Sequence, residues 1–367
     1  MEKLTWLANP YSPHVRHWVE LLNVGFQGEK EVEIVHIYHP NENFRVGKYN
    51  NDFVTLTCPL PNFFKHLPSF FQYILLGLYI RLSGKYKEGI HAHNSSGYGL
   101  SALISGRKYI LTTYGSEVYK AISNNTNLFY RWLIKSILNR ARVITSSSPQ
   151  MTSAVGTLCK ELNVYEFSMG VSREFFYSQS LRDSTREKLN IPLDAVVIFS
   201  NRRLTRLYNI ELIFEAFKKV SLKDKRIYLI QIEGDSDIEY AKEISNITDF
   251  DNLFYIKGFL EQSVLNSLLC ASDYTISLPS TDQLSSSILE GISCKCLPIL
   301  SNLEAYKPLC DISISVNTDL KSLENTFIDV LNGEHTKKYD LIDKYSKKYS
   351  IDNAALKYRD ILDEFNA

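Results

Sequence analysis

Short apolar runs alternate with longer helical patterns along almost the whole chain, and this alternation restricts the fold more than any other feature. Residues 4–8, 32–37, 89–92, 109–112 and 142–145 have the length and composition of strands, with helical patterns at about 14–22, 69–82 and elsewhere between them. A strand covered on both faces reads as a continuous apolar run, and a crossover helix returns the chain to the start of the next parallel strand. The pattern restarts after residue 190, with strands expected at 195–200, 226–232, 253–256, 274–278 and 297–301. Helices are expected at 210–220, 237–245, 262–269 and 287–294, followed by a charged helical tail from residue 337. The expected fold class is α/β, with two Rossmann-like doubly wound domains at residues 1–168 and 169–340 and a tail, 341–367, packing back toward the first. Ligands in open α/β sheets bind at the C-terminal ends of the strands, so a central cleft faced by both domains is the expected site.

The length of 367 residues suits two domains, and 44% hydrophobic with 22% charged residues excludes bulk disorder. Lys and Arg number 41, as do Asp and Glu, a balance that argues against nucleic acid as a partner. The balance hides a drift: residues 1–165 carry 17 basic and 10 acidic residues, and residues 166–367 carry 24 and 31. The six cysteines include no CxxC pair, which fits reduced thiols. The N-terminus lacks an apolar signal core, and no apolar run approaches the ~20 residues of a membrane span. The expected location is cytoplasmic, with room for peripheral attachment at the cytoplasmic face of the inner membrane.

The segment 279–294, PSTDQLSSSILEGISC, follows an expected strand and opens a helix. Ser285, Ser286 and Ser287 form a polar turn whose backbone N–H groups make an anion site, and Glu290 on the same helix could accept from two vicinal hydroxyls. A serine N-cap with an acid favoured by the helix dipole explains the spacing equally well. Asp282 and Glu290 are separated by seven residues, with Pro279-Ser280 before and Leu289-Glu290-Gly291 across the second acid. This stretch resembles the E-x7-E element of retaining glycosyltransferases of family 4, of the bacterial surface-polysaccharide type, which have the GT-B fold. That element is usually Glu to Glu followed by Ala-Met-Ala, whereas here Asp stands first and Gly-Ile-Ser follows.

The resemblance extends over nearly the whole chain. Arg203, in Ser200-Asn201-Arg202-Arg203-Leu204, matches the Arg that clamps the donor diphosphate in the family. The family's Lys five residues later is Tyr208, and Arg202 or Arg206 could supply the missing charge. A solvated basic loop is the plainer reading of these arginines. Glu233-Gly234-Asp235 resembles a glycine turn of the family, Lys257-Gly258-Phe259 the turn that meets the nucleobase, and Met169-Gly170-Val171-Ser172 the interdomain linker. By resemblance Glu290 holds the ribose, Asp282 lies near the transferred sugar, and the amides of Ser285, Ser286, Ser287 and Ile288 meet phosphate or sugar oxygens.

Matches in the first half are looser. Ser12 with Pro13 is a helix start, and His14 follows it. His91-Ala92-His93-Asn94 resembles the family's His-x-His, and Thr113-Tyr114-Gly115-Ser116-Glu117 stands where relatives carry Thr-His-Gly-x-Asp. The resemblance places Asp282, Glu290, Arg203, His93 and Tyr114 around the reaction, with Ser12, His14, Asn94, Gly115 and Ser116 on the acceptor side. His93 also reads as a structural histidine. His91 and His93 are expected on opposite faces of their strand, and no Asp-x-Asp occurs, so no metal and no cofactor beyond the nucleotide sugar is expected.

Residues 63–87 combine a helix that is apolar nearly all round, the mark of burial, with flanking Phe63, Phe64, Lys65, His66, Arg81, Lys85 and Lys87. That flanking composition also suits contact with an anionic membrane, and Trp132 with Arg131, Lys135 and Arg140 extends the basic character. The function implied is hexose transfer from a nucleotide sugar, UDP before GDP, to a saccharide or lipid-linked saccharide. The alternatives are a GT-B sugar-nucleotide epimerase and a non-catalytic scaffold, the latter favoured by Tyr208 and Tyr114.

Overall fold

The computed structural model describes residues 2–39, 52–160, 162–234 and 236–367. The chain divides into two compact units, Met1–Met169 with Ile351–Ala367, and Gly170–Ser350. The tail therefore splits. Its helix Tyr339–Lys348 belongs to the second unit and its helix Ile351–Asn366 to the first.

Among the described residues the first unit has a parallel sheet of seven strands: β1 (Glu2–Leu7), β2 (Lys30–Val35), β3 (Val54–Thr57), β4 (Ile90–His93), β5 (Tyr109–Thr112), β6 (Val143–Ser146) and β7 (Val164–Glu166). Their order is β3-β2-β1-β4-β5-β6-β7. Neighbouring residues on one strand enter different cores. Trp6 and Ile110 pack with the helices Pro13–Phe26 and Ile351–Asn366, while Leu7 and Leu111 pack with Ser69–Leu82, Gly97–Ser105 and Leu128–Arg140. Both faces are covered, which is why the strands read as unbroken apolar runs. The last helix is tied in by Tyr358, whose hydroxyl pairs with His91 Nδ1 at 3.1 Å, and by Arg359 Nε, which donates to Gly25 O at 2.7 Å.

The helix Ser69–Leu82 is not buried all round. Gln72, Leu76, Gly77 and Ile80 are buried, whereas Phe70, Phe71, Leu78 and Leu82 are exposed. One neighbouring helix, Gly97–Ser105, covers its inner side, and the approach is close because Gly77 has no side chain. A Cβ there would lie 2.8 Å from Ser101 O and from Ile104 Cβ. Gly77→Ala should therefore cost about 1–3 kcal/mol by overpacking, outweighing the roughly 1 kcal/mol that Ala gains over Gly in a helix. Thermal unfolding tests this, and an equal or higher melting temperature would refute the close crossing.

Among the described residues the second unit has six parallel strands: β8 (Val196–Ser200), β9 (Ile227–Ile232), β10 (Leu253–Ile256), β11 (Tyr274–Ser277), β12 (Leu297–Ser301) and β13 (Ile314–Val316). Their order is β10-β9-β8-β11-β12-β13. A charged strut fastens the end of the sheet where strands begin. Asp273 accepts from Arg182 Nη2 at 2.6 Å, from Arg186 Nη2 at 2.8 Å and from Val197 N at 2.8 Å. Arg186 is fully buried and donates also to the carbonyls of Ala271, Pro192, Leu193 and Ala195. No helix among the described residues is long and apolar enough to cross a membrane.

Candidate functional site

In the second unit β8 has β9 on one side and β11 on the other. The connection after β8 runs to β9 and the one after β11 runs the other way to β12, which opens a crevice between the C-terminal ends of β8 and β11. The loops after β8 and β11 meet there. In the bend that follows β8, Arg202 is buried while Arg203 is exposed.

Arg202 is buried and organises the site. Its Nη2 donates to Asp282 Oδ2 at 2.6 Å, and its Nη1 donates to Ser285 Oγ at 2.5 Å and Ser287 Oγ at 2.7 Å. Its guanidinium lies 4.2 Å from the centre of the Tyr208 ring. Gln231 Nε2 donates to Arg202 O at 3.0 Å, fixing the backbone, and Asn201 Nδ2 donates to Ser287 O at 3.1 Å. Arg202 Nε is buried with no hydrogen-bond partner among the described residues. Tyr306, on the turn after β12, donates to Asp282 Oδ2 at 2.8 Å.

Ser285 is the extended N-cap of the helix Ser286–Ser293, but its hydroxyl is held by Arg202 and makes no cap bond. The amides of Ser286 and Ser287 stand at the start of that helix, outside its ladder. The Ile288 amide is spent on Ser285 O at 3.2 Å, and its side chain is buried. Glu290, one turn further along, makes no side-chain hydrogen bond among the described residues. Burial pushes its carboxyl up to about 7, against the opposing pull of the Arg202 charge. Gly291 lets this helix lie close to β11, since a Cβ would come within 2.6 Å of Thr275 Cγ2. That contact accounts for glycine where the resembling family has alanine.

The remaining expected donor residues are less enclosed. Arg203 is exposed, with its Cβ 3.9 Å from where a Gly234 side chain would begin. Arg206 is exposed and paired with Glu243 at 2.6 Å and Glu211 at 3.4 Å. Gly234 (φ +63°) donates its amide to Gly258 O (φ +82°) at 3.1 Å, so the two turns adjoin, and their positive φ suits glycine. Lys257 and Phe259 flank Gly258 and are exposed. Asp235 lies outside the described residues.

In the first unit a second group forms where β4 and β5 end. His93 Nδ1 pairs with Tyr114 Oη at 3.0 Å, and the Tyr114 ring stacks on His14 at 5.0 Å. Ser12 is the extended N-cap of the helix Pro13–Phe26, without a side-chain cap bond. Asn94 (φ +103°) accepts from the amides of Ser96 and Tyr98, each at 3.2 Å. Gly115 (φ +118°) makes the turn into the helix Ser116–Ile122, and Ser116 Oγ donates to Glu117.

The expectation that His91 and His93 point apart is corrected. Two residues is the strand's own side-chain repeat, and the rings stack at 4.3 Å on one face. Both His91 nitrogens are engaged, by Tyr358 Oη and by Thr112 Oγ1, and burial lowers its pKa to about 3. Burial, with His91 and His14 nearby, keeps His93 well below the usual imidazole value; its Nε2 is buried with no hydrogen-bond partner among the described residues. No cluster of metal-ligating side chains occurs among the described residues. Sequence reading missed Tyr306, Asn201 and Gln231. A usable signal was available for Asn201 and Gln231, which lie at the C-terminal ends of β8 and β9; Tyr306, five residues past β12, carried none.

No family model matches the chain, and no curated relative matches its sequence. Solved structures do match over nearly the full length. Sucrose-phosphate synthase from Thermosynechococcus elongatus superposes with a TM-score of 0.72 at 14% identity, covering 99% of both chains. A glycosyltransferase from Rickettsia africae gives 0.76 at 16% identity, covering 99% of this chain and 98% of its own. HepE from Anabaena, in complex with UDP-glucose, gives 0.68 at 14% identity, covering 99% of this chain and 100% of its own. Two parallel-sheet α/β units matched over such lengths give the chain the GT-B fold of these glycosyltransferases.

Proposed function

We propose that the chain is a retaining, metal-independent glycosyltransferase. It moves a hexose from a nucleotide sugar, with UDP preferred over GDP, to a saccharide or lipid-linked saccharide acceptor in cell-surface polysaccharide synthesis at the cytoplasmic face of the membrane. The observation that carries the reading is the Arg202–Asp282–Ser285–Ser287 cluster beside Glu290 at the switch point of the second sheet. HepE, which shares the fold, is described in complex with UDP-glucose.

In this reading Glu290 accepts from the ribose hydroxyls, while Arg203 and the Ser286 and Ser287 amides face the diphosphate. Tyr208 does not supply the charge of the family's Lys. It supports the guanidinium of Arg202 instead, moving the cation from position 208 to position 202. The bond between the sugar's anomeric carbon and the diphosphate oxygen breaks as the acceptor oxygen bonds the same face. The acceptor's proton passes to the departing phosphate. Fixed positive charge stabilises the leaving group, so no protein base is required.

Calorimetric titration with UDP, GDP, ADP and CMP tests the reading. One nucleotide should bind in the micromolar range, and Glu290→Ala should weaken it at least about tenfold. Because the Glu290 carboxyl titrates near 7 and only its ionised form accepts two hydroxyls, affinity should rise about tenfold from pH 6 to pH 8. The nucleotide phosphate titrates in the same range, so the profile is compared with that of Glu290→Gln, which should lose the Glu290 component. Stability runs the other way. Folding raises this pKa, the folded chain holds the proton more tightly, and the stability it contributes is lost as pH rises through about 7. Failure of every nucleotide to bind would favour the non-catalytic scaffold.

A further inference from the structure

Three of the six cysteines gather at the strand-start end of the second sheet, away from the crevice. Cys270 lies in the helix Gln262–Ala271, which leads into β11, and Cys294 follows the helix Ser286–Ser293, which leads into β12. Both side chains are fully buried. Cys270 Sγ donates to Phe176 O at 3.2 Å, and Phe176 N donates to Asn266 Oδ1 at 3.1 Å. Cys294 Sγ donates to that same oxygen at 3.1 Å. Asn266 stands one turn before Cys270 on the same helix, so both thiols meet around it and lie within hydrogen-bonding reach of each other. Cys296 has different partners: its Sγ donates to Leu269 O at 3.1 Å and lies 3.6 Å from Ser272 O.

The two thiols are not equivalent. The hydrogen bond that Cys294 donates pulls Cys270 down to about 7, helped against burial by the Ser178 amide and the Arg182 charge. Ser178 is the N-cap of the helix Gln179–Lys188, so that amide belongs to the positive end of a helix. Arg182, on this helix, also donates to Cys270 O at 3.3 Å. The contact with Cys270, with burial, holds Cys294 far above the usual thiol value. One sulfur is thus an anion in a large share of molecules at neutral pH, while its neighbour keeps a proton. That is the pairing of an oxidisable thiolate with a resolving thiol. One side of the cluster is covered by residues 173–177, which form no helix or strand, and the Phe176 side chain there is half in water. Local opening of such a stretch admits a small oxidant without unfolding the sheet.

We infer that Cys270 and Cys294 are a redox pair that closes to a disulfide and thereby acts on the helix carrying Glu290. Hydrogen peroxide is the oxidant. The Cys270 thiolate bonds one peroxide oxygen, the O–O bond breaks, and the departing hydroxide takes a proton to become water. The Cys294 sulfur then bonds the Cys270 sulfur, the S–O bond breaks, and the Cys294 proton leaves with that hydroxide as a second water. The pair loses two electrons and the peroxide gains them; exchange with a dithiol restores both thiols. The Cys294 amide donates to Glu290 O, one turn back, at 3.1 Å. Closing the bond brings the sulfurs to about 2 Å and ends the contact of Cys294 with Asn266. The last turn of the Glu290 helix is then anchored covalently on the helix Gln262–Ala271. The disulfide stands without the transferase reading, whereas its effect on nucleotide affinity rests on it.

Peptide mapping by mass spectrometry tests it, on the folded full chain treated with hydrogen peroxide and then alkylated. A Cys270–Cys294 cross-link should appear and be removed by dithiothreitol. In Cys294→Ser, Cys270 should instead be trapped by dimedone as its sulfenic acid, while Cys296→Ser should cross-link as wild type does. Hydrogen exchange across residues 286–294 should slow about threefold or more in the oxidised chain, with or without nucleotide. Two intact thiols after treatment, a cross-link formed only after denaturation, or one that requires Cys296 would overturn the pair. Unchanged exchange would overturn its action on the helix. Calorimetry should show nucleotide affinity falling about fivefold or more on oxidation, and an unchanged value would overturn the action on the site. Absence of nucleotide binding to the reduced chain is a failure of the donor-site reading, and the cross-link and exchange results decide the redox pair without it.

Discussion

Asp273→Ala is expected to cost the second unit about 3–5 kcal/mol, the usual effect of removing one partner of a buried ion pair. Its carboxylate faces two guanidiniums, and Arg186 is fully buried with its other donors already committed to carbonyls. Without Asp273 that cation has no counter-charge there, and the Val197 amide loses its acceptor as well. At the scaling of a domain of this size, the melting temperature of the unit should fall by about 10 °C. Differential scanning calorimetry of the full chain reads this directly. A transition left within the error of the wild type would mean that Arg182, Arg186 and Asp273 act as solvated surface charge. The strut lies at the strand-start end of the sheet, so nucleotide affinity below the transition should not change.

Arg202→Met separates the other way. It removes three charge-assisted bonds at the site, each worth about 1.5–3 kcal/mol to its partners, and nucleotide affinity should fall about a hundredfold or more. Arg202→Lys should not restore it, because an ammonium cannot reach Asp282, Ser285 and Ser287 together from the face of Tyr208. Asp282 keeps the Tyr306 hydroxyl, so part of the loop's support survives. Titration of both variants with the nucleotide that binds wild type decides the matter. Retention of affinity in either would show that Arg202 is structural and that Arg203 carries the anion alone.

The strands that build the two sheets were largely legible, because a strand covered on both faces must be apolar at every position. The short edge strands were not. Val54–Thr57 and Val164–Glu166 are covered on one side, and their mixed, half-exposed sequences resemble loops. The helix Ser69–Leu82 shows the same limit in reverse. Its composition predicts burial all round, yet coverage depends on how many neighbours the sheet order supplies, which composition does not encode. At the candidate site, motif matching favoured Arg203 because it precedes Leu204. The chain bends just after β8, and it is Arg202 that is buried there with Asp282, Ser285 and Ser287 as partners, while Arg203 is exposed. Tyr306 was hidden for another reason: it comes from a turn after a different strand, and only the strand order brings it to Asp282.

The chain passes from the first unit to the second at residue 169 and back at residue 351. The two crossings lie side by side, with Val171 N donating to Tyr349 O at 2.8 Å. During translation residues 351–366 emerge only after the whole second unit. Until then Trp18, His91 and Gly25 lack the helix that covers them. The half of the molecule made first is thus finished last, and a ribosome stalled before residue 351 would carry a sheet with one flank bare. Such a nascent chain is a natural client for chaperones, and residues 1–169 expressed alone would inherit the same exposed flank.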